Sequence, residues 1–80
     1  MGELKEYTKV KICKLIQKED DYDVWQLNQR PPEIDDTGMV IEILHADGLP
    51  DKYVVEKTGP EGETIWMSEF FEEEIEPKAG

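Results

Sequence analysis

Apolar residues recur mostly at every second position in short runs, broken by glycines, prolines and acid-rich turns. That is the pattern of half-buried strands. The segment YTKVKICKLI (Tyr7–Ile16) alternates best in its first half, with Tyr7, Lys9, Lys11 and Cys13 on one parity and Val10 and Ile12 on the other. It predicts a strand with one solvated lysine face, and Cys13 breaks the lysine row, marking a bulge or burial on both faces near the strand end. Gly38 reads as a turn residue launching the next strand, MVIEILH, where Glu42 is the single charged residue. This is the expected central strand, covered on much of both faces. Asp47-Gly48 followed by Pro50 predicts a tight reversal. Tyr53–Lys57 is the next strand, TGPEGE a second reversal, and Thr64–Met67 the third strand of the meander. Ser68 then suits the N-cap of a single 3-10 or helical turn, with Glu69 and Glu72 complementing its dipole. A short closing strand at Ile75 precedes Pro77.

Between the first two strands lie the twenty residues QKEDDYDVWQLNQRPPEIDD, residues 17–36. Pro31-Pro32 excludes a central strand and favours extended geometry. YDVWQL fits a short strand or a turn of helix, and Tyr22 and Trp25 are expected to pin the loop to the body. A loop this long in a compact domain is functional or partly ordered. Five short strands in one domain of 80 residues, with an ordered core over about 7–77, are most economically arranged as a small five-stranded barrel, because closure removes exposed edges. The expected class is all-β, with a long first loop and a short 3-10 turn near the C-terminus.

Charge sharpens this picture. Residues 1–18 carry five lysines against Glu3 and Glu6, a local +3, and the rest carry eighteen acids against four cations, for a net charge of −11. Such a field repels phosphate backbones, which speaks against generic DNA or RNA binding, and accelerates encounter with a basic protein surface. Cys13 is the single cysteine, so no intrachain disulfide is available. With no secretory leader in MGELKEYTK and no apolar run near the roughly 18 residues a membrane span needs, a cytoplasmic protein that does not enter a membrane is expected, as a monomer or weak homodimer.

The order of a strand, a long loop, DDTGMVIEIL, YVVEK, GPEGETIWM and EEEIEP resembles the small SH3-like barrels. It is most similar to short bacterial proteins of unknown function with a D-x-G-x-V-x-E-I/V element and a terminal L/I-E-P. Asp36, Gly38, Val40, Glu42 and Ile43 match that element, and Tyr53, Val55, Glu63, Ile75, Glu76 and Pro77 match the remainder. The resemblance covers roughly residues 7–77 and implies an SH3-like barrel without implying an activity. GMVIEI also resembles KOW-type modules, whose RNA binding depends on basic residues this chain lacks. The G-x-V, Y-x-V, W order resembles the C-terminal domain of the nitrile hydratase β subunit, from which no catalytic residue carries over.

Candidate chemistry is sparse. His45 and Cys13 lie on separate segments and form no predicted catalytic pair with an orienting third group. One Cys and one His do not make a zinc site. The acidic stretches EDDYD and EIDD lack the spacing of a calcium loop. TGPEGE precedes a strand and so offers no helix-end donors to a phosphate. No enzyme activity, cofactor or metal is expected. What remains is protein recognition, because SH3-type barrels bind ligands between the first loop, the next turn and the terminal 3-10 turn. Tyr22, Trp25, Trp66, Phe70 and Phe71 supply a candidate aromatic floor. Asp35, Asp36, Glu72 and Glu73, with Asp20, Asp21, Asp23, Glu69 and Glu74 nearby, supply an acidic rim suited to a basic protein or peptide. The competing reading makes Trp66 and one of Phe70 and Phe71 core residues. A non-enzymatic protein-interaction module is therefore expected. The alternatives are an acidic inhibitor or immunity protein against a basic nuclease toxin, and an accessory domain of a larger enzyme complex.

Overall fold

The computed structural model describes residues 4–78. It is all-β: five strands, β1 (Lys9–Ile12), β2 (Thr37–Leu44), β3 (Lys52–Thr58), β4 (Thr64–Phe71) and β5 (Ile75–Pro77), and two 3-10 turns at Glu19–Tyr22 and Glu72–Glu74. They form one antiparallel sheet in the order β4-β3-β2-β1-β5. The predicted central strand is therefore central. Among the described residues no helix is long and apolar enough to cross a membrane.

The edge strands β4 and β5 are joined by only Glu72–Glu74. In a flat sheet with strands about 4.8 Å apart, the outer two of five would lie about 19 Å apart, and a link this short reaches at most about 14 Å. The sheet must therefore curl about its inner face, aided by the bulge between Val40 and Glu42 in β2 and the added twist bulges bring. It does not close: no ladder joins β4 to β5 among the described residues, so the expected barrel is, at this level, a curled open sheet.

Strand alternation builds the core. Val10 and Ile12 point inward from β1 while Lys9 and Lys11 face out. Trp66, Ser68 and Phe70 are the buried parity of β4. Val40, Tyr53, Val55 and Ile75 complete the centre, with Leu4 and Tyr22 packed on it. Trp66 meets Phe70 edge-on at 5.7 Å between ring centroids, and Tyr22 stacks on Phe70 at 5.5 Å. Each such pair adds about 0.5–1.5 kcal/mol beyond the area it buries.

Three local expectations are corrected. The first strand stops at Ile12, because the Cys13 N–H turns to the Glu74 carbonyl at 2.8 Å. Ser68 caps nothing: it is a fully buried residue inside β4 whose hydroxyl donates to the Tyr22 carbonyl, and the 3-10 turn begins four residues later. Gly38 is not a turn residue either. It lies within β2 opposite Val10, and a Cβ there would sit 2.8 Å from the Glu56 carbonyl oxygen and 2.8 Å from Val55 Cγ1. Glycine is required because β3 passes too close. Left-handed glycines do occupy the two predicted reversals, at Gly48 (φ 77°) and Gly62 (φ 83°).

Gly38→Ala should therefore lower stability by about 1–3 kcal/mol, the usual range for overpacking. Gly59→Ala should cost less, because there the crowding atoms are the end of the flexible Glu63 side chain. Urea midpoints of the two variants check this, and equal losses would refute the close-approach explanation.

Candidate functional site

The long loop is held at three places, and the mode of holding decides which of its residues remain free. Its beginning is tied to Glu74, the fully buried last residue of the second 3-10 turn. Four donors converge on that carboxylate: the Tyr22 hydroxyl, the Ile16 N–H at 3.0 Å, Gln17 Nε2 at 2.7 Å and the Phe71 N–H at 2.9 Å. Tyr22 Oη also accepts the Gln17 N–H at 2.9 Å. Burial foremost, then the bond to Glu74, pushes the Tyr22 phenol from 10.0 up to about 12.

The loop's end is tied to Asp36. Arg30 clasps it with two parallel bonds, Nη1 to Oδ2 at 2.8 Å and Nη2 to Oδ1 at 3.0 Å, the strong bidentate geometry. The Glu33 N–H donates at 2.9 Å and the buried Trp66 indole N–H at 3.0 Å. Burial alone would raise the Asp36 carboxyl, but Arg30, the Glu33 N–H and the Trp66 N–H outweigh it and hold it below the ordinary carboxylate value. Arg30 is raised in turn, chiefly by its bond to Asp36.

Between these ties the loop lies along the outer edge of β4. The Gln29 N–H donates to the Ile65 carbonyl at 2.8 Å and Gln29 Nε2 to the Thr64 carbonyl at 2.8 Å. Asn28 Oδ1 accepts the Met67 N–H at 2.9 Å, and Gln17 Nε2 reaches the Glu69 carbonyl at 2.9 Å. Side-chain amides thus stand in for a neighbouring strand and cover an edge that would otherwise template aggregation. Sequence reasoning missed Gln17, Asn28 and Gln29 in this role. All four Asn and Gln residues of the chain, these three and Gln26, fall in this one loop, which was the available signal.

What stays free is the loop tip. Val24, Trp25 and Leu27 stand 50%, 39% and 53% exposed around Gln26, which adopts the left-handed φ of 56°. Beside them runs an open groove of about 790 Å³, lined by Glu19, Asp20, Asp23, Val24, Arg30 and Pro31 among others.

The predicted site residues separate into groups. Tyr22, Trp66 and Phe70 are core, at 5%, 0% and 0% exposure, and supply no surface floor. They are buried because each aromatic body fills the curl while the polar tips of Tyr22 and Trp66 find carboxylates inside. Asp36 is consumed by Arg30. Asp35 is exposed, with a left-handed φ of 77°, and its carboxylate lies 3.8 Å from Lys11 Nζ. Phe71 is half-buried beneath Lys52, whose ammonium sits 4.9 Å from the ring centroid. Phe71, Glu72 and Glu73 border a different groove, with Asp51 and Tyr53. Trp25 alone of the predicted aromatics lies on the exposed loop tip, and Val24 and Leu27, which the aromatic pattern did not pick out, share it. The chain matches no family model, no curated protein and no solved structure.

Two titrations follow. Tyr22 has a higher pKa folded than unfolded, so its contribution to stability is complete below about pH 10 and is lost as pH rises through about 12. Asp36 has the opposite sign: its contribution is present above the ordinary carboxylate pKa, about 4, and is lost as pH falls through its depressed value. Tyr22→Phe should remove a phenolate transition near pH 12 from an absorbance titration, and Asp36→Asn should flatten the acid limb of stability against pH. Persistence of that phenolate transition in Tyr22→Phe would show the assignment to be wrong.

Proposed function

We propose that this chain is a non-enzymatic protein-interaction module, that its curled sheet is a small SH3-like barrel, and that a basic protein or peptide docks on the Val24, Trp25 and Leu27 tip and the acidic groove beside it. The observation that carries the reading is the mounting of that tip. Three apolar side chains stand in solvent on a loop fixed at both ends by carboxylates and along its length by amides. Pre-ordering a recognition loop removes part of the entropy cost of binding. Trp is the side chain most often found as an energetic anchor, and Glu19, Asp20 and Asp23 would steer a cationic partner toward it. The link from Phe71 to Ile75 supports the barrel, since it brings the two sheet edges together at one end. An inhibitor of a basic nuclease would draw on the acids at large and make little use of the tip.

Wild-type and Trp25→Ala proteins used as baits, with captured proteins quantified by mass spectrometry, test the proposal. A specific partner should be retained at least about tenfold less by the variant, the loss expected for an anchor residue, while the thermal midpoint stays within about 2 °C, as for a surface change in a small domain. Undiminished capture that falls only with added salt would favour the charge-driven inhibitor, and unfolding of Trp25→Ala would place Trp25 in the core.

A further inference from the structure

Of the aspartates in the chain, Asp47 alone is followed by glycine. The others precede Asp21, Tyr22, Val24, Asp36, Thr37 and Lys52, whose side chains crowd the approach to the next amide nitrogen. Asp47 and Gly48 stand in the reversal between β2 and β3, where the Leu49 N–H donates to the Ala46 carbonyl at 3.1 Å. Gly48 takes the left-handed φ of 77° and Asp47 does not, the pattern of a type II turn, which calls for glycine at its third position. The residues from His45 to Pro50 are all exposed, and nothing lies within 4 Å of where a Gly48 Cβ would stand. Among the described residues, neither the Asp47 carboxyl nor the Gly48 N–H takes part in a hydrogen bond or an ion pair.

Neighbouring aspartates are held where this one is free. Asp36 is clasped by Arg30, and Asp51 Oδ1 meets His45 Nδ1 at 2.9 Å across the base of the same turn. An unheld carboxyl beside an unhindered, unbonded amide can close a ring. The Gly48 nitrogen attacks Asp47 Cγ of the protonated acid, the N–Cγ bond forms, and the Cγ–OH bond breaks. The hydroxyl leaves with the amide proton as water, and a five-membered succinimide remains. Water then opens the ring. Attack at Cγ breaks the new bond and restores aspartate. Attack at the α-carbonyl carbon breaks the original peptide bond and leaves the main chain running through the β-carboxyl, an isoaspartyl link. One water is lost and one regained, so no oxidant, reductant or other reactant is needed. The added backbone atom falls in a turn whose ends are fixed by Leu44 opposite Lys52, outside every strand.

We propose that Asp47 is a site of spontaneous covalent modification, passing through a succinimide to isoaspartate while the domain stays folded, distinct from the loop tip and independent of its function. The full chain, aged at neutral pH and physiological temperature in water enriched in heavy oxygen, tests it. The aged protein is digested and its peptides are fragmented by electron transfer, which distinguishes the two linkages by mass spectrometry. Isoaspartate carrying one heavy oxygen is expected at position 47 and at none of the other aspartates. An exposed reversal opens at a free-energy cost near zero, so the rate should lie within about tenfold of that in a synthetic peptide of residues 44–52. Asp47→Glu, which would have to close a six-membered ring, should accumulate no such link. The thermal midpoint should agree before and after ageing to within about 2 °C, as for a surface change in a small domain. Absence of isoaspartate at position 47, a rate slower than that bound, product without heavy oxygen, equal accumulation at Asp36 or Asp51, or unfolding of the aged protein would overturn the proposal.

Discussion

A fully buried carboxylate that forms no ion pair among the described residues is the point on which the rest of this fold depends. Glu74 stands at the corner where β4 gives way to β5, and its two oxygens gather donors from the start of the long loop, from the first 3-10 turn and from the end of β4. Its backbone carbonyl also receives the N–H groups of Cys13 and Lys14 as the chain leaves β1. Burying such a group unassisted is prohibitive, and each buried donor left without an acceptor costs about 1–3 kcal/mol. The arrangement is stable only when all its parts are in place, which ties the two edges of the sheet and the first loop into one cooperative unit.

Asp36 performs the complementary task at the other end of the loop. One of its oxygens is shared by Arg30, the Glu33 N–H and the Trp66 indole, so the same contact that satisfies a core tryptophan also fixes where the loop rejoins β2. With both ends anchored and the amides of Gln17, Asn28 and Gln29 on β4, the loop is part of the scaffold. Only its tip is left standing in solvent, where Trp25 is exposed together with Val24 and Leu27.

The strand plan was legible because it rests on local signals: alternation in β1 and β3, the β-branched run of β2, and Asp47-Gly48 and Gly59 to Gly62 between strands. What escaped was set by contacts distant in sequence. Glu74 sits in a run of acids that resembles a solvated face, and nothing nearby announces that Tyr22 and Gln17 will cover it. Gly38 follows two aspartates and a threonine, the neighbourhood of a turn, yet its reason lies in β3. Ser68 has the chemistry of a cap, but the alternation of Trp66 and Phe70 around it carries the strand onward. Of the five aromatics proposed for a floor, Tyr22, Trp66 and Phe70 are core, as the competing reading had it for Trp66 and one of the two phenylalanines, and the carboxylates that meet the polar tips of Trp66 and Tyr22 lie 30 and 52 positions away.

The pairing of Lys11 with Glu76 has a kinetic meaning. The first strand cannot find its second neighbour until nearly the whole chain is available, so this ladder closes the longest loop in the molecule, and its entropy must be met before the contact repays it. The meander from β2 to β4 is built from near neighbours and can form early. The β1–β5 seam and the carboxylate corner beside it carry the greater closure cost, and a chain in which they are not yet formed leaves the outer side of β1 without its β5 neighbour.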